Sequence, residues 1–205
     1  VGGNALDTAE SKGTPEEQKL VSAATARTML PLLELDNQLV IVHGNGPQVG
    51  KLLLANAIAR ERVTPQSLDI LVAQTQGALA YILSQAFENA LREVGNPRHV
   101  VGLVTQVEVD AEDPGFSNPT KPVGPFFNES EAHSLSQEFG VTMKEDAGRG
   151  WRYVVPSPMP RHICDISLVE ALMCTRTVVI AGGGGGIPVI RNEMGCRHGV
   201  EAVID

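Results

Sequence analysis

The chain contains no run of about eighteen apolar residues, so no membrane-spanning helix is expected. Positive charge is scarce. Lys and Arg number 16 against 24 Asp and Glu, which leaves a net charge of −8. That balance argues against nucleic acid as a partner and against docking on an anionic membrane surface. It leaves room for small phosphorylated ligands, which need only local cations. Cysteine is rare: Cys164, Cys174 and Cys196, with no short Cys-x-x-Cys spacing. An odd, scattered set fits free thiols in a reducing compartment, so a cytoplasmic location is expected. Cys196 and His198 have no second pair at ligand spacing, so no protein-held metal is expected. Neither an initiator Met nor a signal-peptide pattern precedes Val1, and 203–205 reads like the inside or exit of a strand. The chain is therefore expected to be a piece of a longer polypeptide.

What is present is an alternating pattern. Of the 205 residues 42% are apolar, enough for a substantial core. Apolar, β-branched runs predict buried strands over 38–43, 100–106, 151–155 and 177–181, with a possible fifth over 200–204. Helices are expected over 15–35, 48–62, 67–94 and 167–173. Strands alternating with helices imply an α/β fold, its mainly parallel sheet covered on both faces. Residues 110–160 break the rhythm with seven prolines and five glycines. Such a stretch inside an α/β domain reads as a lid or a small excursion, with one short helix over 129–138.

The most informative segment is Ile41-Val-His-Gly-Asn-Gly-Pro-Gln-Val-Gly50. It passes from an apolar strand through a Gly turn to a proline suited to the first helical position. That geometry aims free N–H groups and a helix dipole at one spot, which suits an anion. The spacing matches neither a P-loop nor a dinucleotide fingerprint. Gly2-Gly3-Asn4 and the run from Gly182 to Gly186 also adjoin strands, and loops at the carboxyl ends of parallel strands share one crevice. Five consecutive glycines are read here as close approach of backbone to an anion rather than as packing. Asn118-Pro-Thr-Lys-Pro122 presents Lys121 from a proline-restricted backbone, as phosphoryl transfer requires of a cation. Lys144-Glu-Asp-Ala-Gly-Arg-Gly-Trp-Arg152 carries three cations and two carboxylates. It reads equally as a closure over the same anion or as a salt-bridged hinge. His43 has no acid partner in sequence and reads as structural. Gln74 and Gln76 face either the sheet edge or solvent.

These segments, together with Gly2-Gly-Asn-Ala5, Ala73-Gln-Thr-Gln-Gly77, Thr105-Gln106, Asn118 to Pro125, Val155-Pro-Ser-Pro158, Gly183 to Pro188 and Gly199-Val-Glu-Ala-Val-Ile-Asp205, resemble the carbamate kinases of the amino acid kinase family. They run in family order across the whole chain. The resemblance implies a three-layer α/β/α sandwich, a homodimer, and a small protruding subdomain at about 110–160 that covers the site. It implies reversible phosphoryl transfer between ATP and carbamate, with ATP/ADP and Mg²⁺, in arginine or allantoin-type nitrogen metabolism. Carried over, Gly2, Gly3, Asn4, Gly44, Asn45 and Gly46 bind the phosphoryl or carbamoyl group. Gly183, Gly184 and Gly185 line the same crevice. Lys121 is the catalytic cation of the lid, with Arg149 and Arg152 as candidate lid contacts. The resemblance places most of the nucleotide pocket in sequence after Asp205. A non-catalytic relative and an enzyme of this fold acting on a related small acid stay open.

Overall fold

The computed structural model describes residues 1–2, 13–34 and 37–205. Gly3 and Asn4 lie outside the described residues. The chain runs α1 (Pro15–Glu34), β1 (Val40–Ile41), α2 (Gly46–Ala59), α3 (Leu68–Glu93), β2 (Val100–Gly102), β3 (Gln106–Val109), α4 (Pro114–Ser117) and β4 (Lys121–Phe127). It continues with α5 (Glu129–Phe139), β5 (Met143–Glu145), β6 (Trp151–Val155), β7 (Pro160–Ile163), α6 (Ile166–Met173), β8 (Val178–Ile180), β9 (Ile187–Arg191) and β10 (Arg197–Gly199). None of the described helices is long and apolar enough to cross a membrane.

The first sheet is parallel, in the order β1-β8-β2. Successive side chains on a strand point to opposite faces. Val178 and Ile180 therefore join Ile41 in a core with Ala26 and Leu33 of α1 and Leu79, Leu83 and Phe87 of α3. Val179 and Ala181 turn the other way, with Val40 and Val101, onto Val169 of α6. The strands are apolar on both faces because helices cover both faces. This is the sheet covered on both faces that the alternating pattern implied, and the α/β/α sandwich that the resemblance implied.

The expected strand over 100–106 is broken in two. β2 pairs with β8, while β3 enters a second sheet of order β10-β9-β3-β7. The break falls at Thr105, whose N–H donates to the Gln76 side chain at 2.9 Å instead of to a neighbouring strand. The fifth expected strand, over 200–204, is absent. Ala202, Val203 and Ile204 are buried, but the N–H of Ala202 turns back to Val200 and that of Val203 donates to Pro156 at 3.0 Å. Apolar content there reports burial, not strand pairing.

Residues 151–155 form a strand with the expected bounds, yet not in the parallel sheet. β6 is the centre of an antiparallel sheet of order β4-β6-β5. Pro122 and Pro125 sit on β4, at the sheet's edge, where a missing donor costs least. α5 begins at a capping box between Asn128 and Glu131 and stops at Gly140, whose φ of 68° suits only a residue at ease in the left-handed region.

This small sheet rides on α2. A Cβ at Gly50 would lie 2.0 Å from Cα and N of Gly124, so the helix and β4 meet backbone to backbone. At the far end of α2, Arg60 donates to the Glu138 carbonyl at 2.6 Å and lies over the Phe139 ring. Gly50→Ala should therefore push helix and sheet apart and cost about 1–3 kcal/mol, the usual range for overpacking. Gly77→Ala serves as the control, because nothing lies within 4 Å of a Cβ there. It should be neutral or stabilising by about 0.5–1 kcal/mol. Denaturant unfolding of the two variants checks the contrast, and equal midpoints would remove the close approach as a stability determinant.

Candidate active site

β1 leads through Val42 and His43 into the turn at Gly44-Asn45-Gly46 and then into α2, with Pro47 in its first turn. Asn45 is the N-cap residue, but its side chain does not cap. Its amide donates to the Thr75 hydroxyl at 2.8 Å, and that hydroxyl donates to the Val72 carbonyl at 2.7 Å. The first-turn N–H groups of α2 are thus not consumed by a side-chain cap, and they keep the positive end of the dipole. The Gly44 N–H donates to the Val1 carbonyl at 3.2 Å, which places Val1 and Gly2 beside the turn.

The turn forms one wall of a cleft of about 650 Å³. Gly2, Gly44, Asn45, Gly46 and Pro47 line that wall. Lys121 and Arg152 reach in from the antiparallel sheet, and Gly184, Gly185 and Asp205 complete the lining. Lys121 forms an ion pair with Asp205. The turn, Lys121 and part of the glycine run, far apart in sequence, share one crevice.

The glycine run works differently from the expectation. Gly182, Gly184, Gly185 and Gly186 all have positive φ, from 61° to 104°. Their N–H groups are spent inside the protein: on Thr105 Oγ1 at 2.8 Å, on the His43 carbonyl at 2.7 Å, and on the Gly182 and Gly183 carbonyls. Neighbours also press against the backbone. A Cβ at Gly183 would lie 2.5 Å from the His43 ring, one at Gly184 2.3 Å from the Asn45 amide, and one at Gly185 2.6 Å from Ile204. Packing is what these glycines permit, so the reading of an anion-facing N–H array is corrected. Gly184 and Gly185 line the cleft through their bare backbone, while Gly183 is buried and outside the lining.

The two arginines separate. Arg152 Nε donates to the Gly124 carbonyl at 2.9 Å and its Nη1 to Asp146 at 3.1 Å. Arg149 also donates to Asp146, at 3.0 Å, and is not among the residues lining the cleft. Both guanidiniums lie over the Phe126 ring. Burial works against the Asp146 carboxylate, but the two arginines outweigh it and hold the group below the usual carboxylate range. The 144–152 segment thus carries ion pairs within its own turn, while Arg152 also borders the cleft. His43 is buried, and burial lowers its imidazole pKa; Nδ1 donates to the Gly44 carbonyl at 3.1 Å. Its ring packs against Gly183, and the residue also borders the cleft.

Gln76 is the residue that sequence reasoning left undecided. It is 1% exposed, and its amide nitrogen donates to Gly183 at 2.8 Å while its oxygen accepts from Thr105. It clamps the glycine run to the β2–β3 junction. Gln74, two positions earlier, is exposed. The signal was available: Val72, Thr75, Gln76, Leu79 and Leu83 fall on one helical face, and all five are buried.

No protein-family model matches the chain. Curated relatives do. The chain is 45% identical to the carbamate kinase of Pyrococcus horikoshii over 207 residues, covering 100% of this chain and 66% of that protein. It is 47% identical to that of Thermococcus kodakarensis, with the same coverage, and 43% to that of Trichomonas vaginalis. The chain belongs to the carbamate kinase family. Solved carbamate kinase structures agree. The Giardia lamblia carbamate kinase bound to citric acid superposes with a TM-score of 0.96 at 40% identity, covering 100% of this chain and 66% of that one. The same enzyme bound to AMP-PNP gives 0.85 at 39% identity. The chain thus spans 64–66% of the length of the carbamate kinases it matches.

Proposed function

We propose that this chain supplies the phosphoryl-acceptor half of a carbamate kinase, which transfers a phosphoryl group reversibly between ATP and carbamate. The observation that carries the reading is the cleft in which Lys121 faces the Gly44–Gly46 turn at the start of α2. Phosphoryl transfer asks for positioning and for charge neutralisation. The helix N-terminus gives a fixed partial positive charge that needs no reorganisation, and Lys121 adds a full one from the opposite wall. The AMP-PNP complex of the Giardia relative supports ATP or ADP as the nucleotide here. Among the described residues no group of three or more His, Cys, Asp or Glu could hold a metal. Mg²⁺ is part of the same proposal, as an ion that arrives on the nucleotide phosphates, where it needs no all-protein cage.

The antiparallel sheet of β4, β5 and β6 is read as the lid, seated on α2 at Gly50. A homodimer is part of the same proposal. Exposed Tyr81 and Val104 border a groove of about 380 Å³ between α3 and β2 that a second copy would cover. A cytoplasmic location and a role in arginine metabolism complete it. The direct assay is ATP formation from carbamoyl phosphate and ADP by the natural polypeptide; no ATP under those conditions would overturn the activity. Binding is tested separately. Phosphate or sulfate soaked into crystals at millimolar concentration should appear at the Gly44–Gly46 turn. Density only elsewhere would sink the cradle.

A further inference from the structure

We infer that Asp205 is a positioning residue for Lys121: it holds the ammonium at the mouth of the cleft and yields it to an incoming phosphate or carboxylate. The inference rests on the reading of the cleft given above. Prolines at 119 and 122 restrict the backbone around Lys121 but leave four rotatable side-chain bonds free. Backbone restriction therefore does not fix the ammonium. The Asp205 carboxylate does, from the opposite wall.

Asp205 is itself well anchored. Val203 and Ile204 before it are buried, and the Val203 N–H donates to the Pro156 carbonyl at 3.0 Å, at the end of β6. Ile204 packs on the backbone of Gly185. The tight glycine run thus sets where the carboxylate stands. The other cation of the lining, Arg152, is already engaged by Asp146 and the Gly124 carbonyl. Lys121 is the mobile charge that a ligand can recruit.

The pair is poised to exchange. A dianionic phosphate seated on the α2 N-terminus brings more negative charge to the Lys121 ammonium than a single carboxylate does, and so outcompetes it. Exchange also releases a cross-link between β4 and the opposite wall, so anion binding and movement of the small sheet are coupled.

The test is a double-mutant cycle on the natural polypeptide, with inorganic phosphate binding measured by titration calorimetry and turnover by ATP formation. Asp205→Asn removes the competitor and should tighten phosphate roughly two- to fivefold, the range of an exposed ion pair. It should lower kcat at the same time, because the ammonium is no longer held in register, while Asp205→Glu restores kcat. In the Lys121→Ala background, Asp205→Asn should leave phosphate affinity unchanged. An unaltered phosphate affinity in Asp205→Asn, or the same gain with and without Lys121, overturns the pairing. If Lys121→Ala alone leaves phosphate affinity intact, it is the underlying reading of the cleft that fails.

Discussion

Lys121→Ala in the natural polypeptide should lower the rate of ATP formation by about 10²–10³, the usual loss when one preorganised charge is removed from a transition state. Stability should hardly change. The side chain is partly exposed, and a single ion pair of this kind contributes about 0–1 kcal/mol. The backbone of β4 keeps its pairing with β6 whatever the side chain is, since Lys121 meets Val155 in the ladder. A large rate loss with an unaltered unfolding midpoint is therefore the expected signature. An unchanged rate would remove Lys121 from the mechanism. A collapse of both rate and midpoint would make its role structural.

Gly184→Ala should do the opposite, and act first on the fold. Its φ of 61° lies where an L-residue pays about 1–2 kcal/mol. Its new Cβ would meet the Asn45 amide at 2.3–2.4 Å, inside any permitted contact. Asn45 must then leave Thr75, stranding buried polar groups at a further cost of about 1–3 kcal/mol. The sum is about 2–5 kcal/mol, a large share of a typical domain's stability. Gly182→Ala separates the two causes. Its φ is 63°, but the nearest atom to its Cβ is a Val42 methyl at 3.6 Å, so it pays the backbone strain alone. Denaturant unfolding should show Gly184→Ala as clearly worse. Equal losses would mean that the Asn45 contact carries no weight.

The sequence was legible where one physical requirement dominates. The run from Trp151 to Val155 is β-branched and aromatic, and its bounds hold in the structure. The helix at 15–34 and the short one begun by Asn128 and Glu131 follow from composition and capping. What could not be read locally was partnership. Nothing within 151–155 says that β6 pairs antiparallel with β4 and β5 rather than joining β1, β2 and β8. The run at 200–204 has the composition of a strand, but its burial is satisfied without ladder bonds. Thr105 ends one strand and precedes another because a glutamine 29 residues away takes its N–H. The turn at Gly44–Gly46 and Lys121 were visible as candidates, and the structure sets them in one cleft. The glycine run was visible too, but its purpose depended on His43, Asn45 and Ile204 arriving from elsewhere to occupy the space where side chains would stand.

The prolines of β4 have one more effect, on how molecules of this chain meet one another. A free sheet edge invites a strand from a neighbouring molecule, the first step of edge-to-edge aggregation. β4 lacks two of the donors such a template needs, at Pro122 and Pro125, and α2 lies against it at Gly50. The small sheet can stand out from the body of the protein at high concentration without recruiting copies of itself along that edge.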